Sequence, residues 1–436
     1  MTRQGGRIFA SAPNDPCMLE RILIGLTFVT VFFAVIEALT FRSLMKVYGE
    51  MPWWPTAKMV WWIGHILVWS AFLAAFFMWP TWRGTHPVML RTIIGVTFVL
   101  TIPKLFVGAI QVLDELRAVG MWGWCALIGQ STEGVLTRRS FLNVFGQVAG
   151  GLTFLGLGYG VTRGKYDYKV REHVVRHPNL PKAFEGLRVV QLSDAHLGSF
   201  AGTPKPVLQA LRKVNDLKPD LVLFTGDMVN ELADEAEPWV EAFAKIKAPL
   251  GKFSVMGNHD YADYGPFSKE ERIASVSLLK RIQARMGFQM LNNDHIIWER
   301  DGENLVLAGV ENWGKGFRQS GNLSAALEGS GAEDNFVMLM SHDPTHYELE
   351  VMNDKAPVEL TLSGHTHGMQ MGIEIPWLGI KWSPSSVTYK RWGGLYLEKT
   401  QYLHVNRGFG VLGFPGRVGM PPEITILTLA QGSPEA

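Results

Sequence analysis

Four long apolar runs in the first 165 residues constrain this chain more than any other feature. They cover residues of about 22–39, 59–79, 92–113 and 141–161. A helix needs about 20 apolar residues to cross the hydrocarbon core of a bilayer. Soluble helices of this length normally carry a charged stripe on their exposed face, and these runs lack one. We therefore predict that residues 1–165 form an all-α transmembrane region of about four helices.

The two parts of the chain also differ in charge. Up to Tyr166 there are 14 basic and 7 acidic residues, a net charge of +7, and the remaining 27 basic and 33 acidic residues give −6. Nine of the 15 Trp lie in the first part, as expected for aromatic belts at a lipid–water boundary. The overall balance of 41 basic and 40 acidic residues excludes a disordered or strongly basic nucleic-acid-binding protein. Two cysteines exclude a disulfide framework.

Two charged residues interrupt the apolar runs. Glu37 lies near the end of the first run, and Lys104 follows Pro103 within the third. Ionisable groups inside a membrane are costly and often functional. Residues in such runs more often lie near an interface and extend their charge to water. We favour this second interpretation for both residues.

A pair of arginines precedes the fourth run, in the segment Thr137, Arg138, Arg139, Ser140. The segment has the form of a twin-arginine export signal, and cytoplasmic anchor arginines would give the same pattern. Both interpretations place residues 137–140 in the cytoplasm and the chain after Val161 on the opposite face. The basic residues flanking the four runs do not decide the side, because seven share the side of the C-terminal half and six lie opposite.

From residue 166 onward, short apolar runs alternate with loops and polar helical stretches, which is typical of a layered α/β domain. We assign 166–184 to a linker leading into this domain, 185–430 to the domain and 431–436 to a tail. Asp, Asn or His follows within two residues of the end of five strand-like runs: Leu187–Ser193, Leu221–Thr225, Phe253–Met256, Phe336–Met340 and Val358–Ser363. Strand ends gather functional side chains, because the strand fixes the backbone while the loop points side chains into a crevice.

The side chains after these strands suit metal binding. They are Asp194, His196, Asp227, Asn258, His342, His365 and His367. Carboxylate, amide and imidazole donors without thiolate fit Mn, Fe, Zn or Mg better than a structural zinc site. His365 and His367 are two residues apart in an extended segment, so both can point into one crevice and reach two adjacent metals.

In order, Asp-x-His, Gly-Asp, Gly-Asn-His-Asp, a single His and Gly-His-x-His resemble the calcineurin-like metallophosphoesterase superfamily. The resemblance covers about residues 185–430. The closing stretch, residues 416–424, is similar to the membrane-associated bacterial branch of that superfamily. Met369 departs from this branch, which commonly has a second Gly there, but it replaces no ligand. The resemblance implies a β-sandwich flanked by helices.

The resemblance also implies a dinuclear metal centre. Asp194, His196 and His367 would bind the first divalent ion, Asn258, His342 and His365 would bind the second, and Asp227 would bridge them. Such a pair of Mn, Fe or Zn ions lowers the pKa of a shared water, so that hydroxide can attack phosphorus near neutral pH. His259 would act as the general acid for the leaving oxygen or stabilise its charge. Asp260 would orient His259 by accepting its other N–H.

Aromatic and basic residues follow the last His pair: Trp377, Leu378, Ile380, Trp382, Tyr389, Lys390, Arg391 and Trp392. This mixture suits an amphiphilic phosphate ester such as a phospholipid or a lipid-linked sugar diphosphate. A buried aromatic core with a solvated basic rim is equally compatible with it. Arg407 and Arg417 could contact phosphate or pair with carboxylates. No nucleic acid partner is expected, because this half of the chain is acidic.

We therefore predict a membrane-anchored, metal-dependent hydrolase of phosphoester bonds, in particular phosphodiester or pyrophosphate bonds, acting on a substrate that can be lipid-linked. We expect it in the bacterial inner membrane, in contact with membrane lipid, with its catalytic domain on the external, periplasmic face. The alternative is a non-catalytic binding or sensory protein that keeps the fold, although such proteins usually lose a ligand. A transporter would need polar residues throughout its spans, and Glu37 and Lys104 give limited support for one.

Overall fold

The computed structural model describes residues 16–79, 82, 86–129, 139–200 and 204–434. Its four long helices are α1 (Pro16–Tyr48), α2 (Trp54–Phe77), α3 (Pro87–Ile128) and α4 (Arg139–Thr162). Shorter helices follow: α5 (Pro204–Asp216), α6 (Val240–Ala244), α7 (Lys269–Arg285), α8 (Leu323–Leu327) and α9 (Pro344–Leu349). The chain forms two compact units, one of Met1–Leu73 and Val96–Gly156, the other of Ala74–Gly95 and Leu157–Ala436.

Four helical segments are long and apolar enough to cross a membrane: Leu23–Tyr48, Trp54–Phe77, Val88–Ile128 and Phe141–Tyr166. Many of their apolar side chains are exposed, as Phe28 (71%) and Leu67 (63%) illustrate. An exposed apolar surface this continuous is not found on soluble monomers, so it indicates contact with lipid. The prediction of an all-α transmembrane region of about four helices is confirmed.

Helix α3 extends well beyond the apolar run at 92–113. Its 42 residues correspond to about 63 Å at 1.5 Å per residue, roughly twice the thickness of a bilayer core. The extension carries the buried Asp114, whose carboxylate lies 3.2 Å from Lys46 Nζ and 3.2 Å from Arg117 Nη2. Because the charge of Asp114 is paired with Lys46 and Arg117, α3 can continue as a helix through these polar residues.

Glu37 and Lys104 do not extend to water, which corrects the sequence-based interpretation. Glu37 is buried, and its Oε2 lies 2.7 Å from Lys104 Nζ and 3.0 Å from His65 Nδ1. Lys104 Nζ also lies 4.6 Å from the centre of the Trp61 ring. The partners come from three helices, α1, α2 and α3, which are distant in sequence. Pairing in this first unit replaces the hydration that each charge would otherwise seek.

The second unit is built on two six-stranded sheets. The first sheet has the order β1-β14-β2-β3-β4-β5 and the second has the order β12-β13-β9-β8-β7-β6, while β10 and β11 form a separate hairpin. The strands are β1 (Lys169–His177), β2 (Arg188–Leu192), β3 (Leu221–Phe224), β4 (Lys252–Ser254), β5 (Phe288–Met290), β6 (Asp294–Arg300), β7 (Glu303–Gly309), β8 (Phe336–Met340), β9 (Leu360–Ser363), β10 (Ile373–Ile375), β11 (Ile380–Trp382), β12 (Gly394–Glu398), β13 (Gln401–Val405) and β14 (Glu423–Gln431). Strands β2, β3 and β4 are parallel, and so are β7, β8 and β9.

The two sheets face each other across one apolar core. Leu223 and Phe253 of the first sheet pack in a single cluster with Leu307, Met338 and Leu360 of the second. Helices α5 and α7 cover the outer face of the first sheet, and α8 and α9 cover the outer face of the second. The predicted fold class, a layered β-sandwich flanked by helices, is confirmed.

Residues 169–177, which the sequence analysis placed in a linker, form the edge strand β1. This strand pairs in parallel with β14 along its whole length. Just before it, Tyr168 is buried, with its ring 4.5 Å from that of Phe409. An edge strand with one solvated face needs no continuous apolar run, and β1 accordingly carries Arg171, Glu172 and His173. The mixed composition of β1 explains why the sequence did not predict a strand there.

Removing one partner of the Glu37–Lys104 pair should destabilise the first unit more than removing both. Lys104→Met leaves a buried carboxylate without its cation, at a cost of about 3 kcal/mol or more, whereas Glu37→Gln with Lys104→Met removes both charges. Thermal unfolding in detergent should show a larger drop in Tm for each single variant than for the double variant. The exposed Lys58→Met is the matched control, and additive effects of the two substitutions would contradict the pairing.

Candidate metal centre

The predicted metal ligands lie at the carboxyl ends of neighbouring strands in the two sheets. Asp194 and His196 follow β2, Asp227 follows β3, and Asn258 follows β4 in the first sheet. In the second sheet, His342 follows β8, and His365 and His367 follow β9. Because these strands are parallel within each sheet, their ends meet at one edge of the sandwich. The fold thus brings all seven side chains to one place.

The first group consists of Asp194, His196 and His367, whose ligand atoms all lie within 4.8 Å of one another. His367 Nε2 lies 3.2 Å from Asp194 Oδ1 and 3.1 Å from His196 Nε2. All three side chains are buried. Two imidazoles and one carboxylate converging in this way form a donor set that can hold one divalent ion.

The second group consists of Asp227, His342 and His365, again within 4.8 Å of one another. Asn258 joins them, since its Oδ1 lies 3.2 Å from His342 Nε2 and 2.8 Å from His365 Nδ1. The amide of Asn258 donates through Nδ2 to the Tyr264 hydroxyl at 2.7 Å. That bond directs the amide oxygen of Asn258 toward the histidines.

Asp227 lies between the two groups. Its Oδ2 is 3.6 Å from His196 Nε2 in the first group and 3.2 Å from His342 Nε2 in the second. The other oxygen, Oδ1, accepts the backbone N–H of His259 at 2.8 Å. One carboxylate oxygen thus faces both donor sets, which is the arrangement needed to bridge two cations.

The electrostatics of this donor set fit bound cations. His367 holds the pKa of the buried Asp194 below its usual range, and His342 does the same for Asp227, although burial acts to raise both. The carboxylates in turn raise the pKa of His342 to about 10, against the effect of burial. Two ionised carboxylates in a buried site therefore attract positive charge, which a pair of divalent ions would supply.

The imidazoles are held as ligands should be. Burial lowers the pKa of His196 well below its usual value and lowers that of His365, so both rings stay neutral with a lone pair to offer. His196 Nδ1 lies 3.1 Å from the Val229 carbonyl, and His342 Nδ1 lies 2.7 Å from the Thr225 carbonyl. These backbone acceptors hold the Nδ1 protons and leave Nε2 for a metal.

Five of the seven predicted ligands have a left-handed backbone. The φ angles are 52° for Asp194, 43° for His196, 59° for Asp227, 70° for His365 and 52° for His367. Each such residue costs about 1–3 kcal/mol, and such strain gathers where function requires a particular side-chain direction. The backbone strain is therefore concentrated in the loops that carry the ligands.

Two glycines permit the close approach of these loops. A Cβ atom on Gly226, where φ is +100°, would lie 2.6 Å from the Gly257 nitrogen and 2.7 Å from His342 Nδ1. A Cβ atom on Gly257 would lie 2.3 Å from Asp227 Oδ1. Any larger residue at either position would displace the central carboxylate or a ligand.

His259 and Asp260 have different partners from those predicted. His259 Nδ1 lies 2.7 Å from the backbone carbonyl of Asn230, which therefore orients the ring, and the ring stacks on Tyr264 with centroids 4.4 Å apart. Asp260 instead accepts the backbone N–H groups of Asp227, Met228, Val229 and Gly257 at 2.8–3.3 Å. Burial and the charge of Asp227 raise the pKa of Asp260 to about 7, and those N–H groups oppose the rise. Asp260 thus shapes the loop that carries Asp227 and does not orient His259.

Several residues around the centre carried no signal in the sequence. Asn230 acts through its main chain, and Tyr264 belongs to no motif. Tyr389 was noticed only as one of many aromatics, yet its hydroxyl lies 2.9 Å from His365 Nε2. Asp343 accepts the Thr345 N–H at 2.8 Å to start α9, and its other oxygen lies 3.5 Å from His365 Nε2.

Arg407 and Arg417 are both occupied within the protein. Arg407 pairs with Glu423 at 2.6 Å and Glu374 at 2.8 Å. Arg417 is buried and donates to the backbone carbonyls of residues 407, 408 and 410. Neither guanidinium is arranged for a substrate phosphate.

The aromatic segment divides between core and surface. Trp392 is buried, whereas Trp377 is 82% exposed and Trp382 is 52% exposed. Both exposed residues lie on or beside the β10–β11 hairpin. The segment thus contributes to the core at one end and presents apolar surface at the other. The arginine pair before the fourth apolar run lies outside the described residues, because Thr137 and Arg138, and the side chains of Arg139 and Ser140, are not among them.

Comparison with known proteins identifies the family of the chain. The family model described as "Calcineurin-like phosphoesterase" matches residues 187–369, and that described as "Probable Calcineurin-like phosphoesterase, transmembrane domain" matches residues 20–165. An uncharacterized metallophosphoesterase of Bacillus subtilis, YkuE, is 31% identical over 302 residues, which are 67% of this chain and 98% of that protein.

Two further relatives are similar to more than half of this chain. The UDP-2,3-diacylglucosamine pyrophosphatase LpxG of Chlamydia trachomatis is 29% identical over 57% of this chain and 86% of its own length. A "transmembrane protein with metallophosphoesterase domain" of Danio rerio is 29% identical over 63% of this chain and 60% of its own length. The chain belongs to the calcineurin-like metallophosphoesterase family, in a form with an N-terminal region of four transmembrane helices.

Proposed function

We propose that the protein is a membrane-anchored phosphoesterase with a dinuclear metal centre. Asp194, His196 and His367 would hold one divalent ion and Asn258, His342 and His365 the other. The observation that carries the proposal is the position of Asp227 Oδ2, 3.6 Å from His196 in one group and 3.2 Å from His342 in the other. Membership of the family supports bound divalent ions. The nitrogen and oxygen donors without thiolate favour Mn, Fe or Zn.

The chain's own residues would position the reacting groups around these ions. Divalent ions bound in such a set supply activation of water and stabilisation of charge on phosphoryl oxygens. His259 would hand a proton from Nε2 to the leaving oxygen, because its Nδ1 is engaged with the Asn230 carbonyl. Asp260 would act indirectly, by fixing the backbone that orients the side chain of Asp227. Tyr389 and Asp343 would hold His365 through Nε2, which leaves its Nδ1 facing the second group.

We further propose that the bond cleaved is a phosphodiester or pyrophosphate bond in a lipid-linked substrate. The similarity to the Chlamydia UDP-2,3-diacylglucosamine pyrophosphatase supports both parts of this proposal. The four apolar helices support the second part, because they place the chain in contact with lipid. Exposed Trp377 and Trp382 give the second unit an apolar surface suited to a bilayer interface.

We also propose the bounds of the membrane region and the catalytic domain, and the membrane in which the protein lies. Residues 1–165 would be the membrane region and 185–430 the catalytic domain, with β1 from the preceding segment completing its first sheet. The membrane would be the bacterial inner membrane, with the catalytic domain on the external, periplasmic face. The arginines at 138 and 139 support this side, because positive residues beside a span favour the cytoplasm.

The first test is turnover of bis(4-nitrophenyl) phosphate by detergent-purified protein loaded with Mn²⁺. We expect hydrolysis that falls at least about 100-fold in Asp227→Asn, because one carboxylate serves both ion sites. Removal of metal by EDTA should abolish turnover, and added Mn²⁺ should restore it. Metal content and circular dichroism of Asp227→Asn separate loss of metal from loss of fold. Wild-type turnover no higher than that of a folded, metal-depleted variant would favour a non-catalytic binding protein.

The proton-donor role of His259 predicts a dependence on the leaving group. 4-Nitrophenolate leaves without protonation, whereas phenolate and alkoxide need a proton in the transition state. His259→Gln should therefore lower kcat for a phenyl phosphodiester by roughly 100-fold or more, and much less for the nitrophenyl diester. His295→Gln, which alters a histidine bonded to the Ala326 carbonyl away from the centre, should leave both rates unchanged. Equal losses on the two esters would assign His259 to phosphate binding.

Reporter fusions test the proposed membrane side. β-Lactamase protects cells only when it is exported, and green fluorescent protein fluoresces only when it folds in the cytoplasm. Fusion after the C-terminal residue should give ampicillin resistance without fluorescence. Fusion after Gly129, one span earlier, should give the reverse pattern. Fluorescence from the C-terminal fusion would place the catalytic domain in the cytoplasm.

A further inference from the structure

A cavity of about 550 Å³ opens beside the metal centre, within the second unit. Its size lies within the range of roughly 300–1,000 Å³ that is usual for ligand pockets. His259 lines it, and the backbone N–H of His259 binds the central Asp227 at 2.8 Å. The cavity thus adjoins the position where phosphorus would react.

One wall of this cavity is apolar and comes from the segment at the start of α3. Leu90 and Ile94 line it from the start of α3, and Trp79 adds to it from the segment before that helix. Leu412 and Phe267 continue the apolar lining from loops of the second unit. Leu90 and Ile94 lie four residues apart on one helix, so they face the same direction. Both belong to the segment Val88–Ile128, which is apolar enough to cross a membrane.

Much of the rest of the lining is polar or charged, and two of its charged groups, Glu235 and Arg91, have partners within the protein. Glu235 accepts the backbone N–H groups of Asn230 at 2.6 Å and Glu231 at 3.1 Å. Arg91 Nη2 donates to the Gly198 carbonyl at 2.9 Å. A guanidinium has five N–H donors, so Arg91 retains capacity for an oxygen of a phosphate or a headgroup. The cavity therefore combines a hydrocarbon-like side with a polar side that includes His259.

We propose that this cavity holds the hydrocarbon part of a lipid phosphoester while its phosphate lies at the metal centre, an inference that rests on the proposed function. Leu90 and Ile94 would then be specificity residues supplied by the membrane helix itself. Small water-soluble esters would react without filling the cavity. Lipid phosphates would gain affinity from burying methylene groups there.

Inhibition by a series of n-alkyl phosphates tests the proposal with the wild-type protein in lipid nanodiscs. Each fully buried methylene strengthens binding by about fourfold, so dodecyl phosphate should inhibit hydrolysis of bis(4-nitrophenyl) phosphate at least tenfold more strongly than methyl phosphate. Ile94→Trp fills the apolar side and should lower this ratio of inhibition constants about tenfold. Val88→Trp, an exposed position on the same helix that does not line the cavity, should leave both the ratio and the turnover unchanged. Leu412→Trp fills the cavity from the other side and replaces Ile94→Trp if that variant does not fold.

A ratio near one in the wild-type protein, or a ratio that Ile94→Trp and Leu412→Trp leave unchanged, would overturn this inference. The proposed function would stand in that case, because hydrolysis of the small ester is measured in the same assay. Absence of hydrolysis relative to Asp227→Asn would instead remove the proposed function.

A binding measurement tests the cavity without measuring turnover. It therefore distinguishes failure of this inference from failure of the proposed function. In a background with both cysteines replaced by Ser, Ile94→Cys and Val88→Cys are labelled with a maleimide in nanodiscs. Dodecyl phosphate should slow labelling at position 94 at least fivefold, whereas methyl phosphate should not, and position 88 should stay unprotected. Equal protection by both phosphates would show that the cavity binds the phosphate group alone. Protection at both positions would indicate general coating of the helix.

Discussion

The burial of two ionised carboxylates at the meeting point of the two sheets is the constraint on which the rest of the catalytic unit depends. Asp194 and Asp227 are excluded from water, yet the surrounding imidazoles keep their pKa values low. Negative charge in such a place is tolerated only with compensating positive charge. His342, whose pKa is raised to about 10, offsets one of the two charges, whereas neutral His196 and His365 provide lone pairs, so bound divalent ions would supply the rest. The sandwich, the strained loops and the glycines all serve to bring these groups together.

The polar network around the carboxylates has a clear hierarchy. Asp227 would contact the ions, Asp260 fixes the backbone that carries Asp227, and Asp343 supports His365. Each outer carboxylate holds backbone or ring N–H groups. Only the central two are arranged to face the donor atoms of several histidines. Position relative to backbone donors, rather than residue type, therefore decides which Asp could serve as a metal ligand and which serves the fold.

The sequence predicted those features that repeat along the chain or stand at strand ends. Five apolar runs, each followed by Asp, Asn or His, were enough to locate β2, β3, β4, β8 and β9 and the convergence of their loops. The orientation of His259 could not be predicted, because its partner is the main-chain carbonyl of Asn230, and every residue has such a carbonyl. The pairing of Glu37 with Lys104 was missed for another reason, since it depends on how separate helices pack. Strand β1 was missed because one solvated face removes the apolar continuity that marks a buried strand.

The paired charges of the first unit bear on the role of its long helices. One helix would be enough to tether a catalytic domain, so four helices with paired charges in their interior need another explanation. The start of α3 belongs to the same compact unit as the catalytic sheets, whereas its remainder belongs to the other unit. Leu90 and Ile94 line the cavity beside His259, so the start of α3 contributes to the surroundings of the candidate metal centre. A helix with that role must be held in a fixed rotation and depth, which one isolated span cannot ensure. Within the first unit, the buried pairs Glu37–Lys104 and Asp114–Lys46 each link α3 to α1 and would hold that part of α3 in place.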